Sequence, residues 1–316
     1  MSKKVKSIKY RIKNWPEYNE ALANRGNVTV WISEEIQNQW YNHQHTGKKG
    51  KPVIYSDTAI ETALTIREVF HLPLRQTEGF LNSLLTLMQL NLQAPDYSTL
   101  SIRGEVLPVK TTFPNPALEP IHIVVDSTGA KIYGEGEWKV RQHGWGRHRS
   151  WRKLHLAVDS KSQGIKSAQV TGNDTTDSEV LPTMIDEIEE PIDQCSGDGA
   201  YDRRKCYQTL AQKEIKAVIP PQQHARIWQH GNCAAPPLAR DENLRQIRKI
   251  GRKRWKAETN YHRRSLAETC VFRLKTIFTD RVRARKLAGQ TTELRLRCQI
   301  LNRMTLLGMP KTTVVA

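Results

Sequence analysis

The chain has 316 residues, of which 38% are hydrophobic and 26% charged, and its formal net charge is +17, as in a folded but strongly basic protein. This composition excludes a largely disordered chain, and no apolar run approaches the roughly 20 residues that span a bilayer. Because the basic amino terminus lacks the apolar centre of a signal peptide, and the five cysteines form no CxxC pair, we expect a cytoplasmic protein without a disulfide framework.

Helical patterns dominate residues 1–115. Apolar spacing and cap residues predict helices over 31–41, 56–70, 74–90 and 96–104, with a basic, Gly-rich linker at 47–52. The short turns and the Ser-, Thr- and Arg-rich last helix resemble a helix-turn-helix DNA-binding module, in which Arg103 is a candidate contact. An ordinary helical bundle explains the same pattern, and the sequence does not separate the two.

From residue 121 the pattern changes to strands. Strands are predicted at 121–126, 129–134, 137–140, 151–160 and 165–172, then a helix at 178–190, and further strands within 192–202 and 215–221. A basic, Pro-rich segment follows at 222–255 and a last helix at 261–275. This succession predicts an α/β protein with an RNase H-like mixed sheet and flanking helices over 116–316, in which 222–255 is an insertion.

The basic charge is concentrated at the carboxy-terminal end. Residues 240–316 contain 20 Lys and Arg against 6 Asp and Glu, whereas the rest of the chain has 29 against 26. A basic face of this kind favours a polyanionic partner. Nucleic acid is the better candidate, because the segment lacks the apolar stripe of a membrane-surface helix.

Three carboxylates are candidate metal ligands. Asp126 follows an apolar strand, Asp198 lies between two glycines, and Glu268 lies in YHRRSLAETCVFRLK (261–275). On a helix, Glu268 shares an arc of about 60° with Tyr261, Arg264 and Lys275. Converging acids repel unless cations intervene, and hard oxygen ligands favour Mg²⁺ or Mn²⁺, so we expect two such ions for phosphodiester chemistry.

Simpler roles for these acids stay open. Asp126 and Asp198 could cap turns, and Glu268 could pair with Arg264 one helical turn earlier. Competing acids occur at Asp159, Asp174, Asp177 and Asp202. Asp174 and Asp177 are better explained as helix caps, and Asp202 as a neighbour that supports a ligand.

Tyr261, Arg264, Glu268 and Lys275 match the Y–x2–R–x3–E–x6–K signature, and VVDSTG, EGEWKV, WRKLHLAVDSK and DGAYD look like the blocks around the first two acids in one subgroup. With these, the chain resembles bacterial insertion-sequence DDE transposases over nearly its whole length. The resemblance implies an RNase H-like catalytic domain and metal-dependent DNA cleavage and strand transfer. Its metal-binding triad would be Asp126, Asp198 and Glu268, and Tyr261, Arg264 and Lys275 would position phosphates. Some relatives hold a flipped base with a Trp of the insertion, for which Trp228 and Trp255 are candidates.

The family implies double-stranded DNA as partner, both as terminal inverted repeats and as target, a homodimer on DNA, and association with the nucleoid. Further phosphate contacts are expected from the basic segment 142–153 and from the arginines after the last helix: Arg147, Arg149, Arg152, Lys153, Arg281, Arg283 and Arg285. Two other functions remain possible, a DNA-binding regulator that does not cut DNA and a structure-specific nuclease of the same fold.

Overall fold

A computed structural model describes residues 9–32, 35–43, 52–111, 113, 119–132, 151–229 and 236–315. The predicted strand at 137–140, most of the linker at 47–52, and the candidate contacts Arg147 and Arg149 lie outside these residues. The strands are β1 Lys9–Ile12, β2 Ile121–Ile132, β3 Trp151–Asp159, β4 Ile165–Thr171, β5 Ile192–Ser196, β6 Lys216–Val218, β7 Arg281–Val282 and β8 Thr312–Val315. The helices are α1 Trp15–Asn24, α2 Ile36–Gln39, α3 Asp57–Val69, α4 Leu74–Leu87, α5 Tyr97–Gly104, α6 Asp177–Asp186, α7 Arg204–Gln212, α8 Ala239–Ile250, α9 Arg252–Glu258, α10 Ser265–Phe278 and α11 Leu287–Leu307.

The central sheet is mixed. Its strands lie in the order β4–β3–β2–β5–β6, and β7 adds to the end of β2. β2 is antiparallel to β3 and β3 to β4, whereas β2, β5 and β6 run parallel. An RNase H-like sheet has three consecutive antiparallel strands, and further strands, reached through crossover helices, add in parallel beside the first of the three. The strands β2, β3 and β4, and then β5 and β6, follow this order. The predicted fold class is therefore confirmed.

The strand β2 is longer than predicted. The sequence suggested one strand at 121–126 and another at 129–134, with a possible turn between them. In the structure Gly129 lies inside β2 opposite Lys153, and a Cβ at Gly129 would come within 3.1 Å of the Trp151 ring. The glycine therefore makes room for an aromatic ring on the neighbouring strand rather than for a turn.

Alternate side chains of β2 face different helices. Ile123 and Val125 pack into a core with α6 and α7, whereas Val124 packs into a second core on the opposite face with α10 and α11. Because side chains alternate along a strand, Asp126 shares the face of Val124. The alternation thus places the first candidate ligand on the side of the sheet where α10 carries Glu268.

The amino-terminal helices lie on this same side. α3 and α5 begin at capping residues, since Ser56 Oγ accepts from Ala59 N (3.1 Å) and Asp96 Oδ1 accepts from Ser98 N and Thr99 N (both 2.9 Å). The predicted helix at 31–41 is only Ile36–Gln39 among the described residues. Apolar residues of α3–α5 and α11 belong to one core, so these helices pack against the sheet through α11. The domain boundary at residue 115 and the helix-turn-helix assignment stay predictions.

Several helices were not expected from the sequence. α8 lies inside the segment 222–255, α9 begins there and ends at Glu258, and α11 follows the helix that was expected to be the last. α11 is buried on most sides and buries Gln290, Glu293, Arg297 and Asn302 among apolar residues, which hides its helical pattern. No helix in the described part of the chain is long and apolar enough to cross a membrane.

Candidate active site

Asp126 lies beside the carboxyl end of β5. Strand β2 continues beyond Asp126, which pairs with Leu156 of β3, so the expectation that the strand ends at this acid is wrong. The neighbour on the other side ends earlier, since the last pair between β2 and β5 joins Val124 and Ser196. Beyond that pair, the sheet opens next to Asp126. This is the position at which parallel α/β sheets form their sites.

Asp198 follows the end of β5 at this opening. It precedes a 3₁₀ turn at Gly199–Tyr201, and its Oδ1 accepts a hydrogen bond from Ala200 N (2.9 Å). The proposed turn-capping role of Asp198 is therefore observed. A carboxylate has lone pairs for further partners, so capping through one oxygen leaves the other available as a ligand.

Glu268 faces the same opening from α10. The helix begins at Ser265, and Tyr261–Arg264 form a 3₁₀ turn in front of it rather than a continuous α-helix. Glu268 forms an ion pair with Arg264 Nη2, and Arg264 Nη1 lies 3.7 Å from Asp126 Oδ2. The ion pair that the sequence suggested as an alternative to metal binding is present. It also brings the guanidinium group between two of the candidate ligands.

Asp126 experiences the negative charge of both other acids. Burial raises the pKa of the Asp126 carboxyl, and the charges of Asp198 and Glu268 raise it further. The Ser127 backbone N–H and the Arg264 guanidinium act in the opposite direction without cancelling the rise. The three acids from β2, the turn after β5 and α10 therefore lie within electrostatic range of one another at one edge of the sheet.

The oxygen atoms of the three candidate ligands are of the type that hard divalent cations bind. All three are carboxylates, which suit Mg²⁺ or Mn²⁺. As the side chains stand, the described residues contain no group of three His, Cys, Asp or Glu placed to hold an ion. The Arg264 cation instead balances Asp126 and Glu268. Metal ligation would thus need this arginine to give up at least one carboxylate.

The aromatic candidates for DNA binding are mostly packed inside the protein. Trp255 is fully buried and Tyr261 is 9% exposed, and their rings lie 5.9 Å apart. Trp228 packs edge-on against Tyr207, and the Arg240 guanidinium lies 4.0 Å from its ring centroid. Trp255 therefore packs against Tyr261 inside the protein. Its side chain would have to move to the surface before a DNA base could stack on it.

Several predicted phosphate contacts bond within the protein. Arg103 pairs with Asp57, Lys153 with Asp177 and Arg283 with Glu68, and Arg152 Nε donates to Gln290. Lys275 and Arg281 are exposed, Lys275 on the face of α10 that carries Glu268. The DNA-binding roles of these residues stay predictions.

Three of the competing acids have structural partners, and the helix that Asp177 was expected to cap has Thr176 as its N-cap instead. Asp159 caps a turn through Lys161 N and Ser162 N (both 3.0 Å), and Asp177 lies 2.9 Å from Lys153 Nζ. Asp202 is 6% exposed and bonds Arg240, a contact that sequence reasoning missed. Because Arg240 lies among many basic residues of the segment 222–255, its burial gives no signal in the sequence.

Two family models match the chain, and both are described as a transposase DDE domain. One matches residues 23–135 and the other residues 117–303, a span that includes Asp126, Asp198 and Glu268. The chain belongs to the DDE transposase family.

One solved structure is also similar to this chain. It is the cryo-EM structure of a simian T-cell lymphotropic virus intasome in complex with PP2A regulatory subunit B56 gamma. The match has 15% identity and a TM-score of 0.26, and covers 65% of this chain and 64% of that chain, which is less than two thirds of its length. At that TM-score the similarity adds nothing to the fold assignment, which rests on the strand order.

Proposed function

We propose that the protein is the transposase of an insertion sequence. It binds the terminal inverted repeats of its element, cleaves the DNA at the 3′ end and joins the freed 3′-hydroxyl to target DNA. The observation that carries this proposal is that Arg264 pairs with Asp126 and Glu268 at one edge of an RNase H-like sheet, where the charge of Asp198 also acts on Asp126. Membership of the DDE transposase family supports it.

In the proposed site each acid is presented by a different kind of element. Asp126 lies in a strand paired on one side, which fixes its position, whereas Asp198 lies on a short turn and Glu268 on an exposed helix face. Glu268, on the exposed helix face, can adjust when a ligand binds. Divalent ions held by these carboxylates would activate the attacking oxygen and stabilise the leaving oxygen.

The cationic side chains of α10 would hold the DNA backbone. Lys275 shares the exposed helix face with Glu268, seven residues further along, and can place its ammonium on a phosphate near the ligands. Arg264 would move from a carboxylate to a phosphate, as its planar group suits both partners. Tyr261, held against Trp255, would then support the backbone of the turn that carries Arg264.

The two ends of an element must be brought together before joining, so we propose a homodimer on DNA. The basic carboxy-terminal third would supply the non-specific part of the affinity, which predicts binding that weakens steeply with salt. The amino-terminal helices α3–α5 would read the repeat.

The test is Mg²⁺-dependent joining of labelled duplexes, carrying the inverted repeats that flank the coding sequence, to plasmid DNA. Glu268→Gln should abolish joining while DNA binding persists. Glu258→Gln is the matched control, because Glu258 is 51% exposed and pairs with Arg254 one helical turn earlier, as Glu268, 54% exposed, pairs with Arg264. The control should join normally.

Other results would point elsewhere. Binding without joining by the wild type would favour a DNA-binding regulator. Cleavage without joining, even when a precut 3′-hydroxyl end is supplied, would favour a nuclease of the same fold. Equal joining by the wild type and Glu268→Gln would remove Glu268 from the proposed site.

A further inference from the structure

The turn that carries Asp198 is closed at both ends. The Asp198 carboxylate accepts from Ala200 N (2.9 Å), and the Asp202 backbone N–H donates to Gly199 O (3.2 Å). Asp198 and Asp202 are thus the two ends of one 3₁₀ turn. Strand β5 fixes the near end of the turn, since Ser196 pairs with Val124 and Val218. The position of Asp198 therefore also depends on what holds Asp202 at the far end.

Asp202 is held by a buried arginine. It is 6% exposed, and its Oδ1 accepts from Arg240 Nε (3.0 Å), whereas Oδ2 accepts from Gln222 N (3.2 Å) and from Arg240 Nη2 (3.5 Å). Two-point pairing between guanidinium and carboxylate fixes orientation as well as distance. Because both oxygens are used and the group is buried, Asp202 is placed to support the turn rather than to bind a metal.

Arg240 is fixed on its other sides too. It is 3% exposed, its Nη1 donates to Arg226 O and lies 3.2 Å from Asp241 Oδ1, and its guanidinium lies 4.0 Å from the Trp228 ring centroid. Asp241 is fully buried and accepts from Trp228 N (3.0 Å) and Gln229 N (2.8 Å). Arg240 therefore joins the Asp198 turn to a folded insertion that cannot easily follow small movements of the turn.

We propose that Asp202 and Arg240 are positioning residues that hold Asp198 where it can bind a divalent metal ion. This inference rests on the proposed function, in which Asp198 is a metal ligand. Neither residue touches the metal or the DNA. Their role is to fix the direction of the carboxylate, and loss of such supporting contacts weakens metal binding by about 10–100-fold in proteins generally.

The experiment measures Mn²⁺ binding by the full chain, with calorimetry, in the wild type, Asp198→Asn, Asp202→Asn and Asp159→Asn. Asp202→Asn should weaken Mn²⁺ binding by about tenfold. Asp159→Asn is the matched control, because Asp159 is as buried as Asp202 and also fixes a turn, through Lys161 N and Ser162 N, but bonds neither Arg240 nor the Asp198 turn. It should change Mn²⁺ affinity by less than about twofold.

Folding is controlled by thermal melts and by DNA binding in EDTA, which Asp202→Asn should leave unchanged. If Asp202→Asn does not fold, Arg240→Lys replaces it, since lysine keeps the charge but not the two-point pairing, and the same weakening is expected. The positioning role is overturned if Asp202→Asn or Arg240→Lys binds Mn²⁺ with wild-type affinity while Asp198→Asn binds it weakly. That result leaves the proposed function intact. Equal weakening in Asp202→Asn and Asp159→Asn also overturns the positioning role, because it indicates general loosening of the fold. Unchanged affinity in Asp198→Asn instead refutes Asp198 as a ligand.

Discussion

Replacement of Glu68 by Gln should destabilise the protein strongly, because this carboxylate is the centre of a buried ion network between α3 and α11. Glu68 is 1% exposed, Arg297 Nε lies 2.8 Å from its Oε2, and Arg67 Nη1 lies 3.1 Å from its Oε1. Arg283 Nη2 lies 2.5 Å from the same Oε1. Burial alone would raise the pKa of Glu68, but Arg297, Arg283 and Arg67 more than offset it and the pKa is lowered.

Removal of one partner from a buried pair costs about 3–5 kcal/mol, because the remaining charge stays buried without compensation. Glu293, 4% exposed, still neutralises part of the cluster. The network also borders an open cleft of about 510 Å³, through which water can reach the arginines. We therefore expect a loss near the lower end, about 3 kcal/mol, and a fall in Tm of about 6 °C.

The assay is urea and thermal unfolding followed by circular dichroism, with Glu105→Gln as the control. Glu105 lines the same cleft but pairs with the exposed Lys286, so its removal should cost less than about 1 kcal/mol. The lowered pKa of Glu68 gives a second check. Ionised Glu68 stabilises the folded protein above the ordinary glutamate pKa, and this stabilisation is lost as the pH falls through the pKa of Glu68 in the folded protein. The free energy of unfolding of Glu68→Gln should therefore fall less on acidification than that of the wild type. A loss below about 1 kcal/mol for Glu68→Gln would refute the view that this network holds α3 to α11.

Three further predictions concern the sheet and the site. Burial lowers the pKa of His155 to about 4, so below the ordinary histidine pKa the unfolded chain binds a proton that the folded chain does not. In urea titrations the free energy of unfolding should therefore fall by about 2 kcal/mol between pH 7 and pH 5. The fall should be smaller in His155→Gln. Burial raises the pKa of Asp126, so its ionised form opposes folding above that pKa. In thermal shift measurements at pH 7 without metal, Asp126→Asn should therefore raise Tm, and it should lose any Mg²⁺-dependent rise. In DNA-binding titrations, Lys275→Gln should reduce the steepness of log affinity against log salt concentration by about 1. Lys213→Gln is the control and should leave this slope unchanged, because Lys213 pairs with Asp186 on the opposite face of the sheet. An unchanged slope for Lys275→Gln would remove Lys275 from the DNA-binding surface.

The strands were predictable because alternation along a half-buried strand is a local property. Leu154, Leu156 and Val158 alternate with residues of the other face, and β3 lies where this pattern indicates. Strand ends are set by neighbours instead. β2 continues beyond Asp126 because β3 pairs with it as far as Lys131, and no local feature of the sequence encodes that pairing.

Polar residues inside helices limited the prediction of α11. Glu293 and Arg297 read as surface residues, yet they are 4% exposed because each meets an opposite charge. Arg240 was missed for the same reason. A buried charge is recognisable only with its partner, and the partners Glu68 and Asp202 lie far away in the sequence.

The three candidate ligands could be predicted as residues, but their charge balance could not. Asp126, Asp198 and Glu268 are separated by 72 and 70 residues, and only the fold brings them to one edge of the sheet. Converging carboxylates repel one another, and Arg264 supplies a cation between Asp126 and Glu268. A divalent ion would compete with the arginine for the same negative potential. The strength of the Arg264–Glu268 pair should therefore set part of the free energy of metal binding, and weakening this pair alone should tighten metal binding.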